Sequence, residues 1–302
     1  MRKFVVVLLM FGIFVTAGIS KTKSTKSAKS SKSACKKTAF TPACTLPFDA
    51  IKQTGLAIDK TCGEPGCADP TTAQGMQNAA KNNFCATGAP VTVTPNMLAQ
   101  LMAAAQAKGV TSGSESQVPA DRSVLKGFTI GGVTLGEGTV VRMAAFVIEA
   151  HYADVSSGES VNCKIGSSAV GAAKAQAAND IHIALGTSYG ADECGSVTAE
   201  MSPHFRPAAW KVIAGIKPKD KATKPLALSQ YPVRITGQLF FDASHRLCAA
   251  GVPTSGNPAR QSLWEIHPVY TADVCSNKTL SACKVDDDSV WTPLDKWTPP
   301  AN

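Results

Sequence analysis

TVVRMAAFVIEAHYAD, residues 139–154, is a long β-rich run, and reading it as a strand decides the fold. Two shorter strand patterns follow it, DIHIALG at 180–186 and GSVTAEMS at 195–202. RPAAWKVIAGIK (206–217) reads as a helix. PVRITGQLFFD (232–242) and SLWEIHPVYTADV (262–274) return to strands, and Pro268 places a bulge or an edge in the last one. One long strand, a hairpin, a helix and two more strands is the element order of an OB-fold, a five-stranded Greek-key barrel with a helix between its third and fourth strands. A β-sandwich would not need the helix. The expected class is therefore mainly β, an OB-like five-stranded barrel with a small helical N-terminal module.

Working outward, the barrel is expected over 131–276, preceded by a linker at 113–130 that overlaps VTSGSESQVPADRS (110–123), a run rich in turn residues. Residues 38–112 read as a small helical module stapled by disulfides. TTAQGMQNAAKNNF suits a helix capped by Thr71 or Thr72. TPNMLAQLMAAAQAKG suits a second, with Thr94 at the N-cap, Pro95 at N1 and Gly109 ending it. Its stripe of Met97, Leu98, Leu101, Met102 and Ala105 follows the 3.6 period and reads as core. Residues 277–302 read as an irregular tail. Its Trp291 and Trp297 either pack back on a domain or leave Asp286, Asp287 and Asp288 as a solvated acidic run. This acidic run lacks the alternation and the Gly of a calcium loop.

The first 20 residues read as a signal peptide. Arg2 and Lys3 precede an apolar run from Phe4 to Gly18, and Gly18 and Ser20 supply the small residues before a cut. The run falls short of the roughly 20 residues that span a bilayer, so the mature protein is not expected to be integral to a membrane. Residues 21–37 hold seven lysines among Ser, Thr and Ala and read as a disordered tether. They serve as a solvated spacer, or as a contact to an anionic surface. The chain's net charge of +8 rests on these two segments: residues 1–37 carry nine basic residues and no acid, and the rest nets −1. Total charge is therefore no evidence for a nucleic-acid partner, and none is expected. The expected location is secreted or periplasmic.

Ten cysteines behind a signal peptide read as structural disulfides. No C-x-x-C occurs, which argues against a zinc ribbon or a thioredoxin-like site. Five fall before residue 90 and five after 160, so a cross-link between the halves or a free thiol is required, with Cys35 the candidate for the latter.

GESVNCK (158–164), NDIHIALG (179–186), SVTAEMSPHFRPAAW (196–210), VRITGQLFFDASH (233–245) and LWEIHPV (263–269) together resemble a largely uncharacterised family of secreted bacterial proteins. The resemblance rests on a D-x-H strand, a following acidic residue, an F-D-x-x-H turn and an E-[LI]-H-P strand. DKTCGEPG (59–66) and QNAAKNNFCATG (77–88) look like the module that often precedes that domain. It implies the architecture and no established activity.

Two of the five histidines stand in i, i+2 dyads, Asp180-Ile-His182 and Glu265-Ile-His267. On a strand such residues share a face. Glu200 comes from the next strand, and Asp242 and His245 from the end of the strand before the second dyad. Imidazoles with carboxylates form a ligand set for a divalent transition metal such as zinc. The expected ligands are Asp180, His182, His245, Glu265 and His267, with Glu200 as general base if the protein is an enzyme. The same groups also suit a purely structural polar network. The leading reading is an exported binding or structural module of unknown ligand with a metal-binding capacity. A metal-dependent hydrolase of a phosphodiester or other polar substrate is the alternative. Nucleic-acid or oligosaccharide binding through Arg234, Arg246, Arg260 and Trp264 on the barrel face is the second alternative, against which Trp264 alternates away from Glu265 and His267 and so reads as core. The G-x-S-x-G run at 186–190 leads into a turn and a strand, so it reads as a hairpin loop and not a nucleophile elbow.

Overall fold

The computed structural model describes residues 57–60, 62–153, 161, 163, 171–207, 209, 213, 227–248 and 258–300. All of them belong to one compact unit. The expected signal peptide and tether lie outside the described residues. Among the described residues no helix is long and apolar enough to cross a membrane.

Five strands close into a barrel: β4 (Val140–Tyr152), β5 (Ile181–Gly186), β6 (Val197–Met201), β7 (Pro232–Phe241) and β8 (Trp264–Cys275). The ring runs β4-β5-β6-β8-β7 and back to β4. It closes because β4 is long enough to serve two neighbours. Val140 to Phe146 pair with β7, and Phe146 to Tyr152 pair with β5. All pairings in the ring are antiparallel except β6 with β8, where Ala199 faces Ile266. That order, with its single parallel pair, is the OB-like barrel the strand pattern predicts.

Alternation sorts the side chains. Val141, Met143, Ala145 and Val147 of β4, Ile181, Ile183 and Leu185 of β5, and Val197, Ala199 and Met201 of β6 fill one core with Trp264 and Ile266 of β8. The residues between them, including His182, Glu200, Glu265 and His267, face the other side. Trp264 is therefore core, as its alternation from Glu265 predicts. β8 cannot keep one parity throughout, because Val269 is again in the core. The β7–β8 register shifts on either side of Gly237, opposite the segment around Pro268. This is the expected bulge. A Cβ on Gly237 would lie 2.3 Å from the Pro268 carbonyl oxygen and 2.5 Å from Ile266 Cγ2.

Helix α1 (Ala73–Lys81) is capped by Thr72, whose side chain accepts from Gly75 N. Helix α2 (Pro95–Ala107) starts at the N-cap Thr94 with Pro95 in its first turn, and its buried face is Pro95, Leu98, Leu101, Met102 and Ala105. Leu98, Leu101, Met102 and Ala105 share the barrel's core cluster. Ser262 Oγ donates to the Leu98 carbonyl across the contact. A two-residue strand β1 (Val91–Thr92) adds to β4 in parallel. A short helix α3 (Ala172–Ala177) precedes β5.

The stretch read as a linker, 113–130, holds two 3-10 turns and ends in β2 (Phe128–Ile130). This strand forms a hairpin with β3 (Val133–Leu135) over Gly131-Gly132. Both glycines have positive φ, 57° and 82°, as a two-residue turn of the favoured hand demands. The segment read as an irregular tail contributes β9 (Trp291–Pro293), paired with β8, and Trp291 packs back beside the Cys275–Cys283 disulfide. Most of the helix expected at 206–217 lies outside the described residues. Arg206 and Pro207 are not helical, and Pro203–Phe205 form a 3-10 turn before them.

Cys62 is bonded to Cys163, Cys194 to Cys248 and Cys275 to Cys283. Cys67 and Cys85 are disulfide-bonded too, and no described cysteine is free. The bond from Cys62 to Cys163 joins the two halves, one of the two outcomes the odd counts allow; Cys35, the candidate free thiol, lies outside the described residues.

Replacing Gly237 with Ala should cost about 1–3 kcal/mol of stability, the usual range for forcing extra volume into a packed site. Its urea midpoint should fall accordingly. An unchanged midpoint would mean that the β8 bulge does not press on this position.

Candidate functional site

The outward residues of β5, β6, β7 and β8 form a buried network of ionisable groups. Asp180, Glu200, Glu265 and His267 have no exposed surface, and Asp242 has 3%. What covers this face is α1. Its buried residues include Gln77 and Lys81, four apart and so on one side of the helix. Four residues of helix advance about 6 Å, and two residues of strand advance about 6.6 Å. The helix therefore delivers two polar groups at nearly the spacing of Glu265 and His267.

The network divides into two triads, each with one Asp, one Glu and one His. In the first, Asp180, Glu200 and His267 each bring a ligand atom within 4.8 Å of the others, and the second does the same with Asp242, His245 and Glu265. The barrel thus carries buried His/carboxylate groups that could hold a metal.

The first triad contains a cation already. Lys81 Nζ lies 2.7 Å from Glu200 Oε2 and 3.5 Å from Asp180 Oδ2. His267 Nε2 lies 3.3 Å from Asp180 Oδ2 and 3.5 Å from Glu200 Oε2. His182 Nε2 lies 3.3 Å from Glu200 Oε1. Neither sequence dyad pairs within itself: Asp180 faces His267, Glu200 faces His182, and Glu265 faces Arg260. Their same-face placement holds, but His182 stands beside the first triad and belongs to neither. Asp180 Oδ1 and His267 Nδ1 are buried without a hydrogen bond.

The second triad is more open. His245 Nδ1 lies 2.6 Å from Asp242 Oδ2, and the His245 side chain is 37% exposed. Asp242 Oδ1 accepts from Ser244 N, Ser244 Oγ and Gln77 Nε2. Glu265 Oε1 is held by Arg260, which is itself fully buried, while Glu265 Oε2 is buried without a hydrogen bond.

Every histidine in the chain faces a carboxylate, since His151 pairs with Glu149 and His204 with Asp59 as well. Burial is the largest influence on the network's carboxyls, and it raises each of them. At Glu200 the Lys81 ammonium, then His182 and His267, outweigh it and hold the group well below the usual range. At Asp180 the hydrogen bond and charge of His267, helped by Lys81, outweigh burial and lower the group. Asp242 is held well below by His245. Glu265 goes the other way: burial and the Glu200 carboxylate push it well above the usual range against the pull of Arg260.

The arginines expected on a ligand face are committed elsewhere. Arg234 pairs with Asp273 and Asp288, Arg260 with Glu265, and Arg246 donates to the Gly113 carbonyl. Sequence reading missed Lys81, because a lysine in the last turn of a helix is ordinary. A signal was present, however: α1 has no large apolar residue except Met76, so any face it buries has to be polar. Beside this network, an apolar groove of about 150 Å³ lies on another part of the surface, lined in part by Met201, Phe205, Tyr270 and Leu294.

No protein-family model, curated protein or solved structure matches this chain.

Lys81→Ala should destabilise the fold by about 3–5 kcal/mol, because it leaves two buried carboxylates without their ammonium. Chemical denaturation measures this, and a loss under about 1 kcal/mol would show that the pair does not lock α1 to the barrel.

The pH dependence has two signs. The depressed Asp180, Glu200 and Asp242 add stability that is complete above their unfolded values near pH 4 and is lost as pH falls through the folded ones. Glu265, raised, adds stability that is full below its unfolded value near pH 4.3 and is lost as pH rises toward its folded one. Glu265→Gln should therefore flatten the decline in stability above about pH 4.3 and leave the acid limb in place. Parallel curves for variant and wild type would refute the assignment.

Proposed function

We propose that this protein is an exported binding module that takes up a divalent transition metal in the ionisable network on the outer face of its OB-like barrel. The observation that carries this is the pair of Asp/Glu/His triads, each compact enough for one ion and each with a buried atom lacking a hydrogen bond. Buried polar atoms normally find partners, and a cation bound to carboxylate oxygen or imidazole nitrogen would supply them. One imidazole with two carboxylates suits zinc, manganese or iron in its divalent state. The disulfides support an oxidising compartment. With the apolar leader they support export, and they agree with the resemblance to secreted bacterial proteins.

Binding is a better reading than hydrolysis. Glu200, the general-base candidate, is fully buried and engaged by Lys81 and His182, so it has no face toward a substrate.

The test is elemental analysis of the mature chain, purified without a His-tag from an oxidising compartment, followed by thermal melts with added zinc. Near-stoichiometric metal, or a rise in melting temperature at micromolar zinc, is the expected result. A binder at 100 times its dissociation constant adds about 2.7 kcal/mol. A folded, metal-free protein whose melting temperature ignores zinc, manganese and iron would sink the proposal.

A further inference from the structure

The two triads are alike in composition and differ in what already occupies them. In the first, the Lys81 ammonium lies within 3.5 Å of both carboxylates. That is the place a metal would take to bind them together. All three triad residues are fully buried, so none of these ligands meets solvent. In the second, the resident cation stands to one side. Arg260 holds Glu265 Oε1 and leaves Oε2 buried and without a hydrogen bond. Asp242 has its Oδ1 committed to Ser244 and Gln77, which fixes the carboxylate and points Oδ2 at His245. The His245 side chain is 37% exposed, so an ion can arrive from solvent and keep water ligands on the open side.

From this we infer that the metal-binding centre is Asp242, His245 and Glu265, and that the Asp180–Glu200–His267 triad is a lock closed by Lys81. The inference rests on the metal-binding reading above and names the residues that perform it. Metal bonds of about 2.0–2.2 Å to nitrogen and oxygen require ligand atoms within roughly 4.4 Å of one another. The three atoms lie within 4.8 Å, so small side-chain rotations bring them onto one ion. The ion would replace the short Asp242–His245 contact with two bonds and give Glu265 Oε2 the partner it lacks. Arg260 would keep Oε1, and Gln77 and Ser244 would keep Asp242 in place, the outer support that ligating carboxylates ordinarily have. The F-D-x-x-H turn, not the two i, i+2 dyads, is then the part of the sequence that binds.

The experiment is equilibrium dialysis of the full mature chain against zinc, comparing wild type with His245→Ala, Glu265→Gln and His267→Gln. His245 is half-exposed, so its variant should fold, and circular dichroism confirms that for all four proteins. The inference expects at least a tenfold loss of affinity in His245→Ala and Glu265→Gln, and wild-type affinity in His267→Gln. Wild-type affinity in His245→Ala with loss in His267→Gln would overturn this assignment and leave the metal-binding reading standing, with the ion in the other triad. Equal binding by all four would overturn it too and place the metal outside the network. No binding by wild type would overturn both.

Discussion

The structure depends on β4 pairing with two neighbours. Because its first half runs along β7 and its second along β5, five strands become a ring instead of an open sheet. Closure then makes parity matter. Each strand has one face toward the apolar core and one away from it, and a slip of one residue would send ionisable groups inward. β8 changes parity on either side of Val269, and both changes are managed by the irregular register against Gly237, where no side chain fits.

Closure alone would leave Asp180, Glu200, Glu265 and His267 on an exposed outer face. Helix α1 buries them, and that changes their chemistry. Taking an ionised carboxylate from water costs several kcal/mol even after relaxation. The network meets that cost with Lys81 on one triad and Arg260 on the other, together with the imidazoles. Helix and strand agree in step, which lets Gln77 reach one triad and Lys81 the other. The result is a polar interface that fixes where α1 sits, made of groups too costly to bury in any other register. The compensation is incomplete at Glu265 Oε2, Asp180 Oδ1 and His267 Nδ1, and the incompleteness at the open triad is what makes a bound cation the fitting occupant.

The sequence by itself determined the barrel. Element order, the core position of Trp264, a bulge or edge at Pro268, a cap at Thr71 or Thr72 and another at Thr94, and the shared face within each dyad all follow from local periodicity and turn chemistry, which act over a few residues. Counting cysteines left two outcomes, a cross-link between the halves or a free thiol. Only the tertiary structure decided that the cross-link joins Cys62 to Cys163, that Asp180 faces His267 and Glu200 faces His182, and that the candidate ligands divide into two triads. These depend on which strand lies beside which and on the register between them, separations of 18 to 101 residues that no local pattern encodes. Lys81 is the clearest case. Its role comes from a buried charge that needs an opposite charge, and the two lie far apart in the chain until the fold brings them together.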